Sequence, residues 1–111
     1  MILREWRAQV RRKDRDVYAA YVRETGLVHY AATEGNLGAA IAVRDLDDER
    51  SEIVTLSYWT SLEAIAAFAG EPVDRARYYP QDDDYLLTRP DKVSHYEVFG
   101  HWPGTPDRAV D

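Results

Sequence analysis

Apolar and polar residues alternate over residues 2–10, with Ile2, Trp6, Ala8 and Val10 on one side and Leu3, Glu5, Arg7 and Gln9 on the other. A period of two predicts a half-buried strand, interrupted on its apolar side by Arg4. The period then lengthens: over residues 16–25, Val17 pairs with Tyr21 and Tyr18 with Val22, the spacing of a helix. The mixed-sign run RRKDRD in front of it reads as a solvated helix start, with Asp14 or Asp16 suited to the positive helix N-terminus. Gly26 is placed to supply a left-handed stop. Val28-His29-Tyr30 fits either an extension of the helix or a strand fragment, and Glu34-Gly35-Asn36 reads as a turn.

Residues 39–44 form a run of small and branched apolar residues, predicted to be a strand, and the polar loop 45–50 joins it to a hairpin partner over residues 53–59. Ile53, Thr55, Ser57 and Trp59 share one face of that partner and Val54, Leu56 and Tyr58 the other, so both faces need cover. Thr60 with Glu63 forms a candidate capping box for a helix bearing Ile65, Phe68 and Ala69 on one stripe, closed by Gly70. Pro72 suits the first turn of a second short helix and Pro80 its end, and residues 82–87 allow one more turn before Pro90. Alternation returns over residues 93–102, and 103–111 reads as a C-terminal tail.

This order, β-α-β-β-α-β, predicts a single α+β domain over residues 1–102, a ferredoxin-like antiparallel sheet with two helices on one face. One sheet covered on one side leaves its other, partly apolar face bare. Two copies packed sheet to sheet would cover it, so a homodimer closing a dimeric α+β barrel is expected.

Composition narrows the function classes. Hydrophobic residues make up 45% and charged residues 31% of the 111 residues, which is ordinary for a folded domain. A net charge of −6 argues against nucleic acid as a partner. With no cysteine, thiolate metal sites and cysteine nucleophiles drop out. MILREWRAQVRRKD lacks the apolar stretch of a signal peptide, and no apolar run approaches the roughly 20 residues of a membrane span. A cytoplasmic protein without membrane contact is therefore expected.

Trp6, Trp59, Phe68, Tyr78 and Tyr79 are candidates to line a pocket for a small aromatic ligand between sheet and helices. Arg75 and Arg77 could clamp an anionic group of that ligand, or else pair with Asp74 and the acidic turn Asp82-Asp83-Asp84. His95, Glu97 and His101 are metal-ligand types on one strand face, but their spacing spreads them too far to share one ion, and no metal site is expected. A nucleophile elbow and a phosphate loop are both missing, since Gly35-Asn36-Leu37-Gly38 has no lysine and no helix behind it.

The segments SYWTSLEAIAAFAG, VDRARYYPQDDDYLL and HYEVFG together resemble the antibiotic biosynthesis monooxygenase-type family, a branch of the dimeric α+β barrel superfamily. The resemblance implies cofactor-independent oxidation of an aromatic or quinoid molecule by dioxygen. Trp59 and Tyr78 would then carry the catalytic set, with His95 as the base if it faces the cleft, and Trp6, Phe68, Arg75 and Tyr79 would contact substrate. It also implies haem binding or haem degradation as an alternative, because one branch of the family degrades haem. At the positions where that branch has Asn, Trp and a ligating His, this chain has Trp6, Phe68 and Tyr78. A non-catalytic dimeric ligand-binding domain is the third expectation, since this fold serves many tasks.

Overall fold

The alternation at the N-terminus becomes the central strand of the sheet. The computed structural model describes residues 1–102, so the expected tail, 103–111, lies outside the described residues. β1 (Ile2–Arg11) pairs antiparallel along its whole length with β3 (Arg50–Trp59), from Ile2 opposite Trp59 to Arg11 opposite Arg50. β3 pairs antiparallel with β2 (Asn36–Asp45) as the expected hairpin. The fourth strand, β4 (Ser94–Glu97), lies on the other side of β1 and sets His95 opposite Arg4. The order β2-β3-β1-β4, antiparallel throughout, is compatible with a ferredoxin-like arrangement. β4 is shorter than the expected 93–102, and one further backbone bond, Val98 N–H to the Met1 carbonyl, follows it.

One face of this sheet is buried. Arg4, Trp6, Ala8 and Val10 of β1 and Ser51, Ile53, Thr55, Ser57 and Trp59 of β3 point into the layer between sheet and helices. Val54, Leu56 and Tyr58 on the opposite face keep intermediate exposure. The core divides into one cluster around Trp6, Val10, Tyr18, Val22 and Ile53. A second gathers Tyr30, Trp59, Ile65 and Phe68.

The helical layer departs from expectation at Gly26. A turn of 3-10 helix (Arg12–Asp14) leads into α1 (Arg15–Val22), a π-helical segment (Arg23–Leu27) and α2 (Val28–Ala32) without a break. Gly26 is therefore no stop, and positive φ occurs instead at Gly35, Gly38 and Gly70. The reason lies in burial: Tyr18, Val22, Gly26 and Tyr30 are all buried, so stopping at Gly26 would forfeit the burial of Tyr30. Their spacing of four exceeds the 3.6 residues of an α-helical turn, and the wider π turn keeps them on one face. Neither Asp14 nor Asp16 caps the helix through its side chain; Asp14 pairs with Arg11 and Asp16 with Arg15. The chain turns at Glu34-Gly35 as expected, with Gly35 at φ 93°.

α3 (Leu62–Ala69) is capped by Ser61, whose Oγ accepts from Ala64 N–H at 3.1 Å, and not by Thr60. Ile65 and Phe68 are its buried stripe and Gly70, at φ 81°, ends it. The second short helix between Pro72 and Pro80 does not form. The carbonyls of Val73 and Arg75 accept from the Arg4 guanidinium, Ala76 N–H bonds to the Asp91 carbonyl, and the Asp74 carbonyl accepts from Val93 N–H. Groups that a helix would pair internally are taken by the sheet and by residues 91–93. Asp82 then opens the short α4 (Asp82–Tyr85).

Candidate functional site

Arg4 occupies an inward position of the central strand, so its side chain is carried into the layer where β1 and β3 meet the helices. Only 2% of the residue is exposed. Its guanidinium donates to the Val73 carbonyl at 3.2 Å and the Arg75 carbonyl at 3.3 Å, and lies 3.3 Å from His95 Nε2. A guanidinium only donates, so His95 Nε2 is the acceptor and the ring is neutral with its proton on Nδ1. Burial and the Arg4 charge both hold His95 below its ordinary pKa. Arg4 Nε has no partner.

Around this cation the helices and the 71–81 segment bring a group of rings. The Phe68 ring centroid is 5.6 Å from the Arg4 guanidinium and 5.3 Å from that of Arg77. Arg77 also lies over Tyr79 and donates to the Phe68 carbonyl. Tyr30 packs on Phe68 and reaches Thr55 through its hydroxyl. Between these groups, Trp6, Thr25 and Gly26 is a partly open cavity with about 30 Å³ of free volume, bounded also by Tyr18 and Asp82. A water needs roughly 10–15 Å³ by this measure, so the space equals about two waters.

His29 sits at the edge of this group, its Nδ1 2.9 Å from the Tyr79 hydroxyl and its ring 4.7 Å from that of Phe68. Burial and the Arg77 charge lower its pKa, while burial raises that of Tyr79. Asp82, which also lines the cavity, accepts from the Tyr18 hydroxyl and from Tyr79 N–H, and burial raises its pKa. Tyr79 lines the cavity and its hydroxyl is paired with His29; with the imidazole proton on Nε2, Nδ1 accepts from the phenol and the two side chains form a proton relay.

Of the residues singled out from the sequence, Trp6, Phe68, Arg77 and Tyr79 line the cavity. Trp59 does not: it is fully buried beside Tyr30 and Phe68, and its indole N–H donates to Ser57 Oγ at 2.8 Å. Tyr78 lies outside the lining, accepting from the Trp6 indole N–H and donating to the Pro90 carbonyl, with Arg89 over its ring. Arg75 is exposed and contributes its carbonyl to Arg4. The anticipated pairing of Arg75 and Arg77 with the acidic run is replaced: Asp74 pairs with Lys92 and Asp83 with Arg89. His95 stands beside Arg4 with its acceptor nitrogen already used. Among the described residues no three His, Asp or Glu side chains gather closely enough to hold a metal ion.

Arg4 and His29 are the site residues that sequence reasoning missed. Arg4 stands on the buried face of its strand by simple alternation, a position where a cation needs an explanation. His29 becomes visible once the buried stripe is followed through Gly26 to Tyr30.

Compared with known proteins, the chain matches no family model and no curated relative.

Proposed function

We propose that the chain is a cytoplasmic, cofactor-independent oxidoreductase of the monooxygenase type, oxidising a small phenolic or quinol-like molecule with dioxygen in the cleft between sheet and helices. The observation that carries this reading is the convergence on one cavity of a buried guanidinium and an acceptor pair, Tyr79 with His29. In such a reaction the phenol O–H is first ionised, its proton passing to the Tyr79 oxygen as the Tyr79 proton passes to His29 Nδ1. The electron-rich phenolate then reduces dioxygen by one electron, and the resulting radical pair joins in a carbon–oxygen bond. Loss of water from that peroxide leaves one oxygen on the ring as a quinone, and the second leaves as water. The base is thus His29 acting through Tyr79, in place of His95. Holding charge in a site of low polarity is where fixed donors contribute most.

The residues do not fit a haem. Tyr78, standing where the haem-degrading branch has its ligand, has its hydroxyl engaged by Trp6 and Pro90 and lies outside the cavity lining. A second reading, a non-catalytic domain that binds a ligand without turnover, rests on the same cleft and the same rings. Dioxygen uptake separates the two. With a panel of hydroquinones and naphthols, the wild type consumes dioxygen, and His29→Gln slows it by roughly 10²-fold, the typical contribution of a general base. No uptake with any member of the panel overturns the monooxygenase reading.

A homodimer is part of the proposal. Leu3, Val54, Leu56 and Tyr58 lie on the sheet face turned away from the helices with only intermediate exposure. Beyond β4, Phe99 and Trp102 are 107% and 92% exposed. Large apolar groups left in water mark a contact surface, and a second copy packed sheet to sheet covers them with a matching face.

A further inference from the structure

Within the cleft just described, one buried group remains without a partner of its own kind. Arg4 has five N–H donors in principle. The structure gives it two carbonyls and one imidazole nitrogen, with the Tyr30 hydroxyl close enough to favour its charge, and leaves Nε without a hydrogen bond. Among the described residues no carboxylate forms an ion pair with it; Asp74 acts on it only through space and pairs with Lys92 at 3.7 Å. Asp82, which also lines the cavity, has one oxygen taken by the Tyr18 hydroxyl and the other by Tyr79 N–H. A buried cation without a counterion is costly. Its bonds to the Val73 and Arg75 carbonyls tie the 71–81 segment to the sheet, yet none of them supplies a negative charge.

The cavity beside it matches a small anionic group. Its 30 Å³ is bounded by Arg4, Trp6, Tyr30, Phe68, Arg77 and Tyr79 among others, and that is space for the carboxylate or phenolate end of a molecule whose body extends through the open side. Phe68 and Tyr79 offer ring faces, and Arg77 adds a second cation above both. We propose that this cleft is a binding site for small aromatic anions, carboxylates or phenolates, with Arg4 as their buried counterion. This rests on the cleft being the ligand site named above, and it adds that the ligand is bound in its ionised form. Arg4, which lines the cavity, supplies the positive charge that the anion faces.

Benzoate tests this without turnover, because it is not a substrate for phenolate oxidation. Titrated calorimetrically into the wild type, benzoate binds at least tenfold more tightly than benzamide, its neutral counterpart of the same shape, and benzamidine does not bind. Arg4→Met loses at least tenfold of the benzoate affinity while keeping its circular dichroism spectrum, with a lower melting temperature because the Val73 and Arg75 carbonyls lose their donor. Arg77→Met, at the cleft mouth, loses less. Benzoate binding no tighter than benzamide, or undiminished in Arg4→Met, overturns the proposal. If Arg4→Met does not fold, the wild-type comparison of benzoate with benzamide decides alone. Charge-selective binding without dioxygen uptake keeps the anion site and removes the monooxygenase reading. Dioxygen uptake without charge selectivity does the reverse.

Discussion

Arg4, His95 and His29 show how one substitution in an alternating pattern changes the chemistry of its surroundings. Arg4 takes the Val73 and Arg75 carbonyls out of any helix and holds His95 neutral. The ordinary pKa of a histidine is 6.5, and both His95 and His29 lie below theirs. A depressed folded pKa means that the unfolded chain binds more protons as pH falls. The stability these two groups contribute is therefore complete above about pH 6.5 and is lost as pH drops through their folded values. Asp82 has the opposite sign: its raised pKa makes its charge a cost that acid removes. In urea unfolding at about pH 7 and about pH 5, His95→Gln reduces the loss of stability on acidification relative to wild type. An unchanged loss would show that His95 does not sense Arg4 in the folded protein. The buried position of Arg4 was legible from alternation, but its reach to residues 73–75 was not, because nothing local links positions that far apart.

At the level of elements, the strands were readable because their period of two persists over the long β1 and β3, and because polar residues 45–50 announce the hairpin. The helical layer was harder. Glycine is read as a stop when it follows a helical run, yet Gly26 is helical and its added Cβ would meet only Val22 Cγ1, at 3.7 Å. Gly35 is the position that requires glycine: at φ 93° a Cβ would lie 2.5 Å from that of Ala64 and 2.9 Å from Thr60 Oγ1. Gly26→Ala is thus expected to raise stability by about 1 kcal/mol, the helix preference of alanine over glycine. Gly35→Ala is expected to lower it by about 2 kcal/mol or more, through left-handed strain and overlap with α3. Chemical denaturation of the two variants checks both signs, and equal effects would contradict the continuous helix. The missing helix between Pro72 and Pro80 follows from the same lesson: its proline boundaries were correct punctuation, while distant groups decided the backbone pairing inside them. The cleft inherits this irregular wall, which explains why Tyr79 reaches the cavity and neighbouring Tyr78 does not.

For the whole molecule, the sheet has one covered face and one bare face, and the bare face mixes charged and apolar positions. Arg7 pairs with both Glu5 and Glu52, and Glu52 with Arg44, while Leu3 lies opposite Tyr58 and Leu56 opposite Glu5. A glutamate in place of Leu56 would bury a charge between two copies. By sedimentation equilibrium the wild type should be dimeric and Leu56→Glu monomeric at the same concentration, with dioxygen uptake and benzoate binding of each read alongside. A wild-type monomer would leave the exposed aromatic residues Phe99 and Trp102 unexplained. The α+β class and the antiparallel sheet were legible in the sequence, whereas the site was only half so: the rings Trp6, Phe68 and Tyr79 stood out, and the charge they surround did not. The account turns on that charge facing a ligand. In a ¹H–¹⁵N spectrum of arginine side chains, the Arg4 Nε–H resonance, assigned by its loss in Arg4→Met, should be sharp and protected from exchange and should shift progressively as benzoate is added. An Arg4 resonance that stays fixed while benzoate saturates the protein would contradict the account.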